Sequence, residues 1–166
     1  MKTIEINLYK FCELSEKAKQ KAINNLYDIN VIHDWWEFTY EDAARIGIEL
    51  TGFGLDSYKH ATGEFTLNAL EVAQNIVNEH GESCETHKTA LSFLEEHAPI
   101  FSEYFEEETE ELEDELVEIE NKFLEDILED YANILQNESD YLMSEEAIIE
   151  TIEANDYDFT EDGKLF

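Results

Sequence analysis

Cysteine and proline are scarce in this 166-residue chain, which has two cysteines and one proline. Cys12 and Cys84 are too few to staple a domain of this size, so we expect free thiols in a reducing compartment. No apolar stretch approaches the ~18–20 residues that a membrane-spanning helix needs. The opening residues alternate apolar and polar side chains, which is a strand pattern and not that of a secretory signal. We therefore expect a cytoplasmic protein without a membrane anchor.

Basic residues are also few: 10 Lys and Arg stand against 42 Asp and Glu, for a formal net charge of −32. Residues 1–60 carry a net charge of −3, whereas residues 61–166 carry 32 acids against only Lys88, Lys122 and Lys164. A halophilic protein would spread its acid over the whole surface, so the uneven charge argues against halophilic adaptation as the cause of the acidity. Direct binding to nucleic acid or anionic membrane is disfavoured, and basic proteins are the expected partners.

The apolar content is high enough for a real core. Hydrophobic residues make up 43% of the chain, with ten Phe, eight Tyr and two Trp, which is too apolar for a disordered acidic tail. The length predicts a single domain, residues 1–166, with a long acidic helical segment at residues 100–137 inside it.

Strand patterns occur at both ends of the chain and in its first half. Ile4, Ile6 and Leu8 share one face of a predicted first strand. Residues 48–67 are rich in Gly, Thr and aromatics, which predicts two short strands joined by a loop. The last ten residues predict a hairpin that turns at Asp162-Gly163. Together these patterns predict an α+β fold, in which a small antiparallel sheet packs with several helices.

Helical spacing of apolar residues recurs through the rest of the chain. Ser15 and Ser144 are expected to cap two helices, and Gly47 is expected to end another. Pro99, the only proline, is expected to separate two more. The predicted helical ranges are 16–27, 34–46, 68–81, 86–97, 101–134 and 144–153.

The acidic segment is the most unusual part of the sequence. Residues 103–130 hold 15 acids and one base, and their apolar residues lie three or four apart. This predicts a sustained amphipathic helix, in which Thr109 could cap a second piece. As one helix the segment would span about 42 Å, which places its net charges roughly 3 Å apart. Phosphates along one DNA strand are ~3.4 Å apart, so the charge density predicts nucleic-acid mimicry.

Nine acids in this segment are the candidate partner-binding residues. An ordinary solvated helix face interleaves Lys or Arg at i+4, and here those cations are almost absent. An unusually acidic solvated face is the alternative interpretation. The candidates are Glu106, Glu107, Glu108, Glu110, Glu111, Glu113, Asp114, Glu115 and Glu118.

Two constellations look like metal sites at first sight. His80, Cys84 and His87 have spacing that zinc could use, with Cys12 or His97 as a fourth ligand. The set lacks the paired short spacings of zinc modules, so surface histidines and a small buried cysteine are expected instead.

The second constellation places Asp156, Asp158, Glu161 and Asp162 before Gly163. The glycine comes too late for an EF-hand, so a turn is expected there. No metal or cofactor site is predicted. The chain also has no phosphate-binding glycine loop, nucleophile elbow or HExxH motif, so no enzymatic activity is predicted.

Four aromatic residues, Trp35, Trp36, Phe38 and Tyr40, fall on one predicted helix. Adjacent tryptophans point about 100° apart on a helix, so one is expected to be buried and the other to be available to a partner. Trp35 and Phe38 are the expected inward positions.

Three stretches resemble a group of small, mostly uncharacterised proteins of bacteriophages and mobile elements. They are ELSEKAKQKA at residues 13–22, DWWE and YEDA within residues 34–43, and IEANDYDFTEDG at residues 152–163. The resemblance covers the first 65 and last 15 residues and leaves the acidic middle unmatched. It implies a shared α+β frame that carries a specialised insert, with no catalytic residues to transfer. A phage origin favours inhibition of a host defence system.

Charge and resemblance together predict a phage-encoded anti-CRISPR or anti-restriction inhibitor. It would bind a CRISPR effector or restriction enzyme in the host bacterial cytoplasm by mimicking the charge of DNA or RNA, and would act as a monomer. The alternative is an acidic adaptor or antitoxin-like module, which sequesters a basic protein without competing with nucleic acid. A structural phage protein that self-associates through the long helix is a third possibility, which the net charge disfavours.

Overall fold

A computed structural model describes residues 7–166, and the predicted α+β class is confirmed. Ile4 and Ile6 of the predicted first strand lie outside the described residues, where the first strand begins at Tyr9. The elements in chain order are β1 (Tyr9–Lys10), α1 (Glu16–Asn25), α2 (Glu37–Ile46), β2 (Ile48–Gly54), β3 (His60–Phe65), α3 (Ala69–Glu79), α4 (Glu85–Glu107), α5 (Glu110–Leu142), α6 (Glu145–Ala154) and β4 (Asp158–Phe159).

The strands of residues 7–166 form two separate antiparallel pairs, β1 with β4 and β2 with β3. Pairing of the two ends of the chain agrees with the prediction. The central hairpin was expected in the same sheet, and it does not join it. An alternating pattern marks a strand without identifying its neighbour, so the sequence could not distinguish one sheet from two.

The chain divides into two compact units. The first holds the described residues up to Trp35 together with Asn137–Phe166, and the second holds Trp36–Gln136. Each unit has its own hydrophobic core. The core of the first unit comprises Phe11, Leu14, Ala18, Ala22, Ile23, Ile148, Ile152 and Phe159.

Serine caps begin two helices of the first unit, as predicted. The Ser15 hydroxyl accepts a hydrogen bond from the Ala18 amide (3.3 Å), and the Ser144 hydroxyl accepts one from the Ala147 amide (3.2 Å). Each cap satisfies one of the amides that the first turn of a helix leaves without a partner. Both boundaries follow from this local chemistry, which the sequence displays directly.

The C-terminal residues make the predicted turn. Gly163 has a φ of +81°, and a β-carbon there would collide with the backbone carbonyl of Ala18, so glycine is required. Hydrogen bonds from the Lys21 ammonium and the Thr160 hydroxyl lower the pKa of Asp162 to about 2. Asp162 therefore serves a turn and ion-pair role in the first unit.

The core of the second unit gathers apolar residues from α2, both strands of the β2–β3 hairpin, α3, α4 and α5. Gly47 ends α2 with a φ of +100°, as predicted, and β2 follows at once. Within this unit Phe123 is 2% exposed, and its ring stacks on Phe93 at a centroid distance of 4.3 Å. The α4–α5 pair thus rests on an aromatic contact deep in the core.

The start of α2 differs from the prediction. The helix begins at Glu37 rather than residue 34, and Thr39, Ala43 and Ile46 are its buried positions. Phe38 lies about 100° around the helix from Thr39, so it is 80% exposed and the expectation that it points inward is wrong. Trp35 and Trp36 are both half-buried, so neither is the fully buried member that was expected.

Pro99 does not separate two helices, because α4 continues through it to Glu107. An interior proline costs about 3 kcal/mol in a helix, mainly through the lost hydrogen bond to the carbonyl four residues earlier. Pro99 and Glu95 are both exposed, so water can solvate that carbonyl. Stacking of the His97 ring on Phe101 (5.4 Å) holds consecutive turns together on either side of the proline.

No helix within residues 7–166 is long and apolar enough to cross a membrane.

Candidate functional site: the acidic tip of the α4–α5 hairpin

The acidic segment folds back on itself as an antiparallel helical hairpin. Phe93 of α4 stacks on Phe123 of α5, and the Thr89 hydroxyl donates a hydrogen bond to Asp130 Oδ2 (2.6 Å). The residue numbers fall along one helix as they rise along the other, which is the signature of antiparallel packing. The two helices therefore present their acidic ends at the point where the chain reverses.

The reversal occurs at Glu108. This residue has a φ of 43° and a ψ of 52°, and its amide donates to the Tyr104 carbonyl at 2.8 Å. Thr109 then caps α5, because its hydroxyl accepts from the Leu112 amide at 3.4 Å. The sequence left one helix or two open, and the segment forms two, the second capped by Thr109, so its charges do not lie in one straight 42 Å row.

Glu108 is an unfavourable residue for the left-handed conformation that ends α4. Glu108→Gly is expected to raise the free energy of unfolding by about 0.5–1 kcal/mol, because glycine has no β-carbon to clash there. Urea unfolding followed by circular dichroism measures the change. The control Glu107→Gly lies inside the helix and should lower stability by up to about 1 kcal/mol. Destabilisation by both variants would contradict the left-handed assignment.

We define the acidic tip as residues 103–118, which hold ten acids and no Lys or Arg. All nine candidate partner-binding acids lie in this tip, and all nine side chains are exposed. Within residues 7–166 none of the nine lies within ion-pair distance of a cationic group. The tip is therefore a surface of uncompensated negative charge.

The helix dipole stabilises negative charge on the α5 side of the tip and destabilises it on the α4 side. Glu110, Glu111 and Glu113 lie in the first turn of α5, where the positive end of the helix dipole stabilises carboxylates. Glu106 and Glu107 lie at the C-terminal end of α4, where the dipole is unfavourable for negative charge. The α4 side of the tip thus keeps acids where helix stability would favour bases.

Two acids further along α5 lie near a lysine or histidine nitrogen, in contrast to the nine. Glu120 Oε1 lies 3.8 Å from His97 Nε2, and Asp126 Oδ2 lies 3.2 Å from Lys122 Nζ. Lys88 and Lys122 both line the groove between α4 and α5, together with Asp130. Two of the three lysines of residues 61–166 therefore lie in this groove, and the tip has none.

The charge density of α5 alone remains close to that of a nucleic-acid strand. Residues 110–130 of this helix carry 11 acids and one base over a length of about 32 Å. The net spacing is again roughly 3 Å per charge, near the ~3.4 Å between phosphates of one strand. The charge spacing along α5 therefore still matches that of a nucleic-acid strand, although the whole acidic segment does not form one straight row.

Asp130 is a half-buried carboxylate on the groove side of α5. Its pKa is raised by desolvation, and also by the nearby charges of Glu85, Glu129 and Asp126, although the bond from Thr89 opposes the rise. An acid whose pKa is raised by folding stabilises the fold fully only below its unfolded pKa of ~3.9. That contribution is lost as the pH rises through the folded pKa, so Asp130 weakens the fold at neutral pH.

Asp130→Asn is expected to raise the free energy of unfolding at pH 7 by at most ~0.5 kcal/mol, because the amide oxygen can still accept from Thr89 without carrying charge and solvent screens this half-exposed group. At pH 3 the gain should vanish, since Asp130 is then mostly protonated in the folded and unfolded chain. Urea unfolding at both pH values checks this, with Asp114→Asn in the exposed tip as the control. A gain that persists unchanged at pH 3 would contradict the electrostatic explanation.

Two aromatic side chains of the tip region are exposed, against the expectation of a buried amphipathic stripe. Phe101 is 46% exposed and Phe105 is 79% exposed. Both carry on the four-residue spacing of the buried Phe93 and His97, so the spacing pointed inward. The helix ends at Glu107, however, and the last buried residue of α5 on that side is Leu116.

The burial of the histidines and of Cys84 is the opposite of the prediction, which had exposed histidines and a buried cysteine. His87 and His97 are buried and Cys84 is exposed. The side chain of His80 is also buried, with Nδ1 2.8 Å from the Thr86 hydroxyl oxygen. Apolar periodicity gave no sign of this, because it does not register buried polar side chains.

His80 belongs to a buried polar cluster with Asp42. His80 Nε2 lies 3.3 Å from Asp42 Oδ2 without the geometry of a hydrogen bond. The buried Tyr131 hydroxyl donates to the same oxygen at 3.1 Å. His80, followed by Tyr131 and Arg45, lowers the pKa of Asp42. The cluster joins α2 and α5 to the residue that ends α3, and it is a structural feature that the sequence reasoning missed.

No group of three or more His, Cys, Asp or Glu side chains within residues 7–166 is arranged to hold a metal ion.

Comparison of the chain with protein-family models, with curated proteins and with solved structures gave no match.

Proposed function

We propose that this protein is a phage-encoded inhibitor of a bacterial defence system, an anti-CRISPR or anti-restriction protein. It binds a basic nucleic-acid-binding effector and occupies the Lys- and Arg-lined channel that DNA or RNA would otherwise fill. The nine exposed and uncompensated carboxylates of the acidic tip carry this proposal. The protein acts by binding alone, without catalysis or a cofactor, as a monomer in the host cytoplasm.

The physical basis is the release of counterions and the steering of encounter. Closely spaced charges hold a counterion atmosphere, whose release on binding to a basic groove favours association. An uncompensated negative surface also speeds encounter with a positive one. Both effects depend on carboxylates that are exposed and unpaired, as those of the tip are.

The alternative is an acidic adaptor or antitoxin-like module that sequesters a basic protein. The fold-back at Glu108 favours it, because the charge lies on two antiparallel helices instead of one straight row. An adaptor has no need to follow the path of a nucleic-acid strand.

Competition with nucleic acid distinguishes the two functions. The tagged protein is used to capture binding proteins from host lysate, with and without nuclease, and the captured basic protein is purified. A decoy captures its effector more strongly after nuclease treatment, and excess DNA or RNA displaces the decoy from the effector. An adaptor instead forms a ternary complex with the effector and its nucleic acid. Failure to retain any nucleic-acid-binding protein under either condition would reject the decoy proposal.

A further inference from the structure

An aromatic ridge runs along α4 from the core of the second unit to the acidic tip. Phe93, His97, Phe101 and Phe105 follow one another every fourth residue, so they form a ridge that winds around the helix by about 40° at each step. The first three rings are in contact, with centroid distances of 5.1 Å between Phe93 and His97 and 5.4 Å between His97 and Phe101. The first two rings are buried, Phe101 is half exposed, and Phe105 is almost fully exposed.

The exposure of Phe105 follows from the place where the hairpin reverses. The ring lies less than one turn before Glu108, and the buried residues of α5 begin at Leu116. The end of the ridge thus projects beyond the part of α5 that covers Phe93 and His97. It leaves a large apolar side chain in water amid carboxylates, and Val117 of α5 adds a further exposed apolar group to the tip.

The charges around the ridge decide what can cover it. A second copy of this chain would bring another strongly negative tip against the first, so like-charge repulsion opposes it. Nucleic acid and anionic membrane are opposed for the same reason. A folded protein with a basic surface satisfies the carboxylates, and an apolar depression within that surface would accept the rings.

We propose that Phe105, supported by Phe101, is an apolar anchor that inserts into a depression on the basic partner protein. This inference rests on the proposed function, since the partner is the same effector. Aromatic rings are enriched at protein interfaces, and those near the centre of an interface are typical anchors. Carboxylates alone would suit any polycation, so the anchor is the element that selects one basic protein among many.

The test compares two single substitutions that remove equally exposed rings. Phe105→Ala removes the anchor, and Phe38→Ala removes an 80% exposed ring outside the tip as the matched control. Affinity is measured by calorimetry for two probes, the effector purified from the capture experiment and a deca-lysine peptide. Phe105→Ala is expected to weaken binding to the effector by about 10- to 100-fold, while Phe38→Ala leaves it unchanged. Neither substitution should alter binding to deca-lysine or the salt dependence of effector binding.

Failure of this inference can be told apart from failure of the proposed function. If the tip acids prove necessary for effector binding but Phe105→Ala behaves like Phe38→Ala, the anchor is rejected and the decoy stands. If removal of the tip acids also leaves binding intact, or if no basic protein is captured, both are rejected. Sedimentation in ~0.5 M salt tests whether a second copy of the chain binds the ridge instead. Self-association that Phe105→Ala abolishes would assign the ridge to a second copy and reject the anchor.

Discussion

Effector binding is expected to weaken more than about 100-fold at ~0.1 M salt when five tip acids become amides. Each carboxylate lost removes part of the counterion release, so the salt dependence of log K should fall by up to ~0.7 per residue, as for the charges of a single nucleic-acid strand. The amides nearly match the carboxylates in shape and the side chains are exposed, so the fold is expected to survive. The five changes are Glu110→Gln, Glu111→Gln, Glu113→Gln, Asp114→Asn and Glu115→Gln.

A control variant with the same change in net charge makes this prediction specific to the tip. It replaces five exposed acids elsewhere, two of which begin α6 as Glu110 and Glu111 begin α5. Binding by this control is expected to fall only a few-fold, through the weaker overall field. Equal weakening by both variants would show that net charge acts without a defined site. Full binding by the folded tip variant would reject the decoy mechanism. The control acids are Glu71, Glu145, Glu146, Glu153 and Glu161.

Phe123→Ala is expected to lower the free energy of unfolding by about 3–5 kcal/mol. Phe123 is buried in the second unit, where its ring stacks on Phe93 at 4.3 Å and on Phe65 at 5.6 Å. Its removal leaves a cavity between the β2–β3 hairpin and α4. The loss is large because a typical domain has only about 5–15 kcal/mol of stability. Urea unfolding monitored by circular dichroism measures the loss.

Two control variants show whether that loss of stability comes from the buried position of the ring. Phe123→Leu keeps most of the volume and should cost about 1–2 kcal/mol. Phe105→Ala removes the same side chain from an exposed position and should change stability by less than about 0.5 kcal/mol. A loss below about 1 kcal/mol for Phe123→Ala would contradict the central place of this ring in the core.

Sequence reasoning succeeded where a few adjacent residues determine the structure. The caps at Ser15, Ser144 and Thr109 and the helix end at Gly47 depend on side chains within four residues of the boundary. The exposure of the nine tip acids follows equally directly from their charge. Their role as a binding surface stays a prediction.

Sequence reasoning failed where distant residues decide. Pro99 looked like a helix end, yet ring stacking across it and solvent on its outer side allow α4 to continue. Phe105 fitted the buried stripe by spacing, but its burial depended on how far α5 extends past the reversal. His80 carried no apolar signal, because its environment is built from residues of other helices. Spacing reports the face of a residue and says nothing of what lies opposite.

The lysine-poor distribution around the hairpin also has a chemical consequence. Amine-reactive reagents modify lysine side chains, and the sequence has none between Lys88 and Lys122. Coupling the protein to a sensor surface or a fluorophore through its amines therefore places the attachment outside the tip, where it does not cover the tip carboxylates. Trypsin cleaves after Lys and Arg, so for the same reason it cannot cut within the tip and releases residues 89–122 as one intact acidic peptide.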